Sequence, residues 1–243
     1  SNTIDDHASD QLADITADTI NIGGGNSGVG NTDALELASA TAITIQANSN
    51  NVDVDHAADA AVTVSSLQTG AGTISFDQTG NQALTITSAT TTDGAITLNN
   101  TAGNLILGTI SAGGNDVDDD LTITAITSGN LLIGALTASD NDVTLTSAGS
   151  ITDNNGGTTN VSASTLLAKA SGGGIGSGDA LETIVSNLEA SATGGDVGIS
   201  NNGALTIGGI GADVGVLTTT SGDVSVTTSG QALNVTEDVV AAG

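Results

Sequence analysis

The chain repeats a three-residue unit of apolar, polar and apolar residues along most of its length, separated by short runs of Gly, Asn, Asp and Ser. Alternation with a period of two is the pattern of a β-strand, because successive side chains of a strand point to opposite faces. The separating residues are typical turn formers. The units stand at 20–22, 35–37, 43–45, 52–54, 62–64, 74–76, 84–86, 96–98, 121–123, 143–145, 197–199, 205–207, 224–226 and 233–235.

Two internal matches show that the strands belong to a larger repeat. Residues 61–76 recur 22 positions later as 83–98, and residues 104–110 recur 26 positions later as 130–136, each followed by an Asn-Asp-Val at 115–117 and 141–143. Periods of this length with two or three short strands each are typical of a solenoid, in which every turn stacks on the last. The sequence therefore predicts an all-β fold over residues 1–243, a parallel β-helix (β-solenoid) of roughly ten rungs of about 20–26 residues.

Two alternatives stay open at this point. Many short strands also suit an antiparallel sandwich or barrel, although that fold calls for tight hairpin turns at short intervals and not for a fixed repeat. Residues 179–188 also show helical spacing, with Asp179 and Glu182 placed as a capping box. Because Gly-rich segments flank this stretch and the strand pattern resumes in phase at Val197, an irregular strand rung is our prediction there.

Composition limits both the core and the possible partners. The chain has no Pro, Cys, Trp or Tyr and a single Phe, Phe76, so the core must be thin and aliphatic. The net charge is −26, and Lys169 is the only Lys or Arg. Such a chain cannot neutralise phosphates, so nucleic acid binding and anionic membrane surfaces are excluded as functions. No apolar run is long enough to predict membrane insertion.

Several Gly-containing segments of the chain are similar to segments of a known group of proteins. The phrases are Gly-Gly-Gly-Ile-Gly at 172–176, Gly-Gly-Asp-Val at 194–197, Asn-Gly-Ala-Leu at 202–205 and Gly-Asp-Val-Ser-Val at 222–226. They resemble the repeats of filamentous-haemagglutinin-like and autotransporter-type giant bacterial adhesins, and the resemblance covers most of the chain. It implies a right-handed parallel β-helix that is extracellular or on the cell surface of a bacterium. Since both ends of the chain are repeat-like and show no polar cap, we expect a fragment of a longer chain or a filament protomer.

Acidic residues supply the one candidate metal site. Asp116, Asp118, Asp119 and Asp120 form the densest cluster, and the 26-residue match puts Asp142, with Asp140 nearby, one repeat away. Stacked carboxylates repel unless a cation lies between them, and oxygen ligands suit Ca²⁺. We therefore take Asp116, Asp118, Asp120, Asp140 and Asp142 as candidate calcium ligands, with a solvated acidic loop as the simpler interpretation.

Little in the sequence points to catalysis. The histidines are His7 and His56, both predicted to be exposed turn residues, and there is no Cys, Tyr or Arg to complete a nucleophilic site. We therefore predict that the protein is not an enzyme, a polysaccharide-degrading activity being the less favoured alternative.

The leading hypothesis is a secreted structural protein, adhesin-like or filament-forming. It would self-associate end to end or laterally and contact host or neighbour-cell glycans. The alternative is a module that binds surface carbohydrate or ice through Thr-x-Thr pairs at Thr85/Thr87, Thr122/Thr124 and Thr144/Thr146, because flat Thr ladders can order water. Thr is, however, also the ordinary exposed residue of a strand.

Overall fold

A computed structural model describes residues 4–5, 12–23, 25–114, 116–211 and 215–243. Over these ranges the chain forms strands, turns and bends, with no helix, and so no helix long and apolar enough to cross a membrane. The strands are β1 Ile15–Thr16, β2 Thr19–Gly23, β3 Leu35–Ala38, β4 Ala42–Gln46, β5 Val52–Ala57, β6 Val62–Gln68, β7 Ile74–Thr79, β8 Leu84–Thr90, β9 Ile96–Asn100, β10 Leu105–Ala112, β11 Leu121–Ala125, β12 Leu131–Ser147, β13 Ile151–Asp153, β14 Val161–Ala170, β15 Leu181–Ile184, β16 Asn187–Gly194, β17 Val197–Asn201, β18 Leu205–Ile207, β19 Val216–Ser221, β20 Val224–Thr228, β21 Leu233–Val235 and β22 Val239–Val240.

Every strand pairs in parallel with a strand from the turn before or after it. Val52 pairs with Ile74, Ile74 with Ile96, Ile96 with Leu121, and Leu121 with Val143, so one register position runs straight through successive turns. Parallel neighbours that are one repeat apart define a β-solenoid, here of about 10 turns. The predicted fold class is confirmed, and the antiparallel sandwich is not formed.

Each regular turn contributes one strand to each of two series. The first series contains β2, β4, β6, β8, β10 and the start of β12, and the second contains β3, β5, β7, β9, β11 and the end of β12. β12 spans both series, and the corner between them lies at Asp140, where φ is 64° and the register to β14 shifts between Ala138 and Asp142. The second series carries the site described below.

The core is a set of aliphatic columns, as the three-residue units predict. In the second series Val54, Phe76, Leu98, Ile123 and Leu145 stack in register, and each is completely buried. The residue between each pair of buried positions points outward, which gives β11 its alternation of buried and exposed residues. Fully burying an aliphatic side chain contributes about 1.5–3 kcal/mol, so the columns rather than any single contact hold the rod together.

The two internal matches have different structural meanings. The 22-residue match is a true turn in both series, since Val62 pairs with Leu84 and Ile74 with Ile96. The 26-residue match holds only in the first series, where Leu105 pairs with Leu131. In the second series Leu121 pairs with Val143, an offset of 22, so the connection before Leu121 is four residues longer than its counterpart one turn later.

Residues 179–188 form no helix. Their strands are β15, whose Leu181 pairs with Ile199, and the start of β16, whose Leu188 pairs with Leu166. The helical spacing arises because a short outward turn separates two strands that bury Leu181, Val185 and Leu188 in one core. The prediction of an irregular strand rung is confirmed.

Candidate functional site

The outward side of the second series is a continuous face of two residue columns, here called the ladder face. Strand alternation places these residues outward, and the shared register stacks them at the spacing of the turns, about 4.8 Å. One column contains Asp53, Ser75, Thr97, Thr122 and Thr144, and the other contains Glu36, Asp55, Asp77, Asn99, Thr124, Thr146 and Lys169. The face is therefore acidic at its N-terminal turns and neutral over its Thr-rich turns.

The acidic end stacks three carboxylates on three successive turns. Glu36 pairs with Asp55 and Asp55 with Asp77, and the three line a groove of about 340 Å³. Partial burial raises the pKa of Asp55, and the nearby charges of Asp77, Asp53 and Asp33 raise it further. Burial likewise raises the pKa of Asp53. The groove is consequently a region of concentrated negative charge that favours cationic groups.

Asparagine closes this acidic stack on the C-terminal side. Asn99 occupies the next position of the same column, and its Nδ2 donates a hydrogen bond of 2.6 Å to Oδ1 of Asp77. Because a neutral amide donor follows Asp77, the column changes from carboxylates to Thr without a further stacked charge. The sequence alone did not single out this acidic end, although its signal, Asp at 53, 55 and 77, was present.

Behind the acidic end, a ladder of buried polar side chains fills one inward column. His56, Gln78 and Asn100 pair in register, and none is more than 1% exposed. Gln78 Oε1 lies 3.4 Å from His56 Nδ1, and Gln78 Nε2 donates to Oδ1 of Asn100 at 3.1 Å. Asn100 Nδ2 in turn donates to the backbone oxygens of Gln82, Gly103 and Asn104.

The prediction that His56 is an exposed turn residue is wrong. It lies in β5, where it continues the inward alternation of Val52 and Val54. The acidic neighbours Asp55 and Asp59 suggested a turn, but Asp55 is an outward member of the same strand and only Asp59 lies in the turn that follows. His7, the other histidine, lies outside the described residues.

The five candidate calcium ligands occupy two different settings. Asp116 and Asp118 are exposed in the long connection before β11, whereas Asp120 ends that connection and Asp140 and Asp142 lie within β12. The connection is closed on itself, because Asp119 is 3% exposed and its Oδ2 accepts the backbone N–H of Asp116 at 3.1 Å. Burial raises the pKa of Asp119, and the charges of Asp93, Asp116 and Asp118 add to this.

The structure stacks Asp142 on Asp120 and not on Asp116. The 26-residue match suggested the pair 116 and 142, but the offset in the second series is 22. The extra four residues project as a loop whose Val117 is 85% exposed, while Val143, its supposed equivalent, is buried. Within the described ranges no three acidic or histidine side chains come together as a metal-holding group. Calcium binding at Asp116, Asp118, Asp120, Asp140 and Asp142 stays a prediction.

The Thr residues form a shorter ladder than the sequence suggested. Thr122 pairs with Thr144 and Thr124 with Thr146, so these two Thr-x-Thr pairs do stack. Thr97 and Asn99 continue them by one turn. Thr85, in contrast, belongs to the first series, where it pairs with Thr63 and Ile106. Sequence spacing could not assign a strand to its series, and that assignment decides which Thr residues are neighbours.

A glycine-rich connection between β18 and β19 is held by two carboxylates, a feature that the sequence did not reveal. Glu189, completely buried, accepts the backbone N–H groups of Ile210 and Gly211 through Oε1 at 2.8 and 3.1 Å. Glu237, from the turn that follows this connection, accepts those of Gly209 and Gly215. The carboxylates therefore satisfy backbone donors that no strand partner reaches.

Comparison with known proteins gives no relative for this chain. No family model matches it, and neither a curated protein nor a solved structure does.

Proposed function

We propose that this protein is a secreted structural element of a bacterial cell surface, an adhesin-like or filament-forming rod. The observation that carries the proposal is the unbroken register of the second series, in which Val52, Ile74, Ile96, Leu121, Val143, Leu166 and Leu188 follow one another turn by turn. Backbone hydrogen bonds between turns run along the rod, so stretching it must break several bonds per turn together. Such an arrangement suits a stiff spacer.

Charge and composition support an exposed location. Carboxylates at this excess keep a rod soluble and repel neighbouring chains except where apolar or backbone groups meet. A single Lys leaves one site for trypsin-like proteases, which favours persistence outside the cell. The resemblance of the Gly-containing phrases to bacterial adhesin repeats supports the same location, and it supports host or neighbour-cell glycans as partners.

Association of copies end to end is supported by the last described turn. Leu233, Val235, Val239 and Val240 are 42–54% exposed there, whereas their counterparts Leu205, Ile207 and Val216 are buried beneath them. An uncovered apolar layer with free strand edges is complementary to another turn of the same kind. A further turn, whether of a longer chain or of a second copy, covers such a layer, and the proposed end-to-end association assigns that turn to a second copy.

Electron microscopy of the purified chain tests this proposal. We expect rods about 50 Å long for each copy, from about ten turns at 4.8 Å, joined into longer filaments. V235D places a charge on the uncovered layer and should shorten the filaments. V117D, which changes a more exposed valine on the loop before β11, should leave them intact. Discrete monomers under all conditions would contradict the filament-forming role.

A second candidate function is a binding module for ice or surface carbohydrate. The in-register pairs Thr122/Thr144 and Thr124/Thr146 favour it, because they present hydroxyl groups at a regular spacing on a flat face. The test is thermal hysteresis and glycan-array binding of the wild type, T144D and T63D, the last being an exposed Thr of the first series. Loss in T144D alone would support this candidate, and no activity in the wild type would remove it.

The proposal contains no catalytic step. Incubation with acidic and neutral polysaccharides should release no new reducing ends or unsaturated products, and reproducible release that is lost in D55N or D77N would contradict it.

A further inference from the structure

The buried ladder has a chemical direction, and that direction fixes the tautomer of His56. Gln78 Nε2 is committed as a donor to Asn100 Oδ1 and to the backbone oxygen of Gln82 at 3.2 Å. The other end of the amide, Oε1, therefore faces His56 and can only accept. It follows that Nδ1 carries the proton and donates to Gln78, and that Nε2 of the neutral ring is bare.

The surroundings of Nε2 disfavour its protonation. The ring is 1% exposed, Nε2 is buried with no hydrogen-bond partner, and the ring centroid of Phe76 lies 6.3 Å away. Leu37 occupies the same inward position one turn earlier. A proton on Nε2 would therefore create a buried charge and an unsatisfied donor at the same time, each of which is costly in a core.

The charged groups around the ring do not remove this cost. Glu36, Asp53, Asp55 and Asp77 occupy the outward positions of β3, β5 and β7, with Glu36 only 6% exposed. Glu36, Asp55 and Asp77 line the same groove as His56, but none of them is hydrogen-bonded to Nε2. Asp59, in the turn after β5, is the carboxylate whose charge acts on His56 and favours protonation. Across the core, the buried side chains of β4 and β6 are all aliphatic. Burial outweighs Asp59 and lowers the pKa of His56.

We propose that His56 makes the N-terminal turns of the solenoid acid-sensitive, because protonation of Nε2 opens the stacked strands β3, β5 and β7. The neutral imidazole fits the folded core. In the unfolded chain the imidazole has its ordinary pKa near 6.5 and takes up a proton readily. A pH below about 6.5 therefore favours opening of these strands. The destabilisation is complete once the pH has fallen below the lowered pKa that His56 has in the folded state. The C-terminal turns contain no histidine in the described ranges and lack this response. This inference goes beyond the proposed structural role and does not depend on it.

Amide hydrogen exchange at several pH values tests the inference, with rates corrected for the intrinsic effect of pH. In the wild type, exchange over 35–79 should accelerate between pH 7 and 5 by about tenfold for each pH unit by which burial lowers the pKa of His56. Residues 121–170 provide the internal reference and should stay protected. H56Q is the matched variant, because glutamine can donate to Gln78 Oε1 and carries no charge at any pH.

The two outcomes are distinct. Acceleration over 35–79 in the wild type but not in H56Q supports the inference, whereas equal acceleration in both overturns it. If H56Q does not fold, an NMR titration of the imidazole in an H7Q background decides instead, since only one ring then titrates. An unshifted titration of His56 in the folded protein would overturn the inference, and a titration displaced to lower pH together with local opening would support it.

Discussion

Asp142 lies one turn above Asp120, and its backbone N–H donates a hydrogen bond of 2.9 Å to Oδ1 of the Asp120 carboxylate. The relation continues upward, since Oδ1 of Asp142 accepts the hydroxyl of Thr165 at 2.8 Å. These carboxylates thus satisfy polar groups where the strands of the second series begin. They connect three successive turns at one corner of the solenoid.

Removing the Asp120 carboxylate should destabilise this corner of the solenoid. D120A leaves the N–H of Asp142 without its acceptor and is expected to lower the free energy of unfolding by about 1 kcal/mol. Urea denaturation of the variant and the wild type measures the difference. D118A removes a carboxylate from the exposed part of the neighbouring loop and should change stability by less than about 0.5 kcal/mol. Equal losses in both variants would show that the hydrogen bond between Asp142 and Asp120 is not responsible.

The calcium hypothesis makes a separate prediction for the same corner. If Asp120 and Asp142 take a cation together with Asp116, Asp118 or Asp140, calorimetric titration should show saturable binding, and a chelator should lower the melting temperature. The double variant D120N/D142N should abolish both effects, because amide groups are poorer ligands for Ca²⁺ than carboxylates. Absence of heat and of any melting shift in the wild type would reject the hypothesis.

A substitution that interrupts the buried polar ladder should strongly lower the free energy of unfolding. Q78L leaves Asn100 Oδ1 and His56 Nδ1 without their partners in the core, and each loss costs about 1–3 kcal/mol. We expect a total of about 2–6 kcal/mol in denaturant unfolding. Q68L, at an exposed position of β6, is the matched control and should be close to neutral. A Q78L protein as stable as the wild type would show that the ladder merely fills space.

Close backbone stacking at the turns requires glycine at particular places. Gly129 has φ of 95°, and a Cβ added there would lie 2.1 Å from the backbone oxygen of Gly103 in the preceding turn. G129A should therefore cost more than the 1–3 kcal/mol typical of backbone strain alone. G230A shares a positive φ of 65° but would contact no atom within 4 Å. Thermal melting that shifts equally for the two variants would argue against the steric explanation.

The acidic end of the ladder face predicts a pH effect of opposite sign to that of His56. Because the folded-state pKa of Asp55 is raised, its charge destabilises the fold above that pKa, and the penalty disappears as the pH falls to the ordinary value near 3.9. D55N should thus stabilise the protein at pH 7, and the gain should vanish near pH 3.5. D118N, with the same change in net charge, should give a smaller gain. Unfolding curves across this pH range compare the two.

His56 shows both how far sequence patterns reach and where they mislead. The alternation that identified the strands also places His56 inward after Val52 and Val54, so its burial was predictable from the strand period. Its acidic neighbours Asp55 and Asp59 suggested a turn because Asp is a common turn residue, although the alternation extends through Asp55 and His56. The Gln78 and Asn100 partners follow from the 22-residue repeat in the same way.

The strand period, the stacking of turns and the aliphatic columns could all be predicted from the chain, because they depend on alternation and repetition over short sequence distances. The assignment of strands to the two series required the folded structure, and with it the stacking of Asp142 on Asp120 and the separation of Thr85 from Thr122. The folded structure likewise decided that a later loop buries Glu189. The physical reason is that turn lengths vary independently at each corner, so register is set by the packing of whole turns against one another.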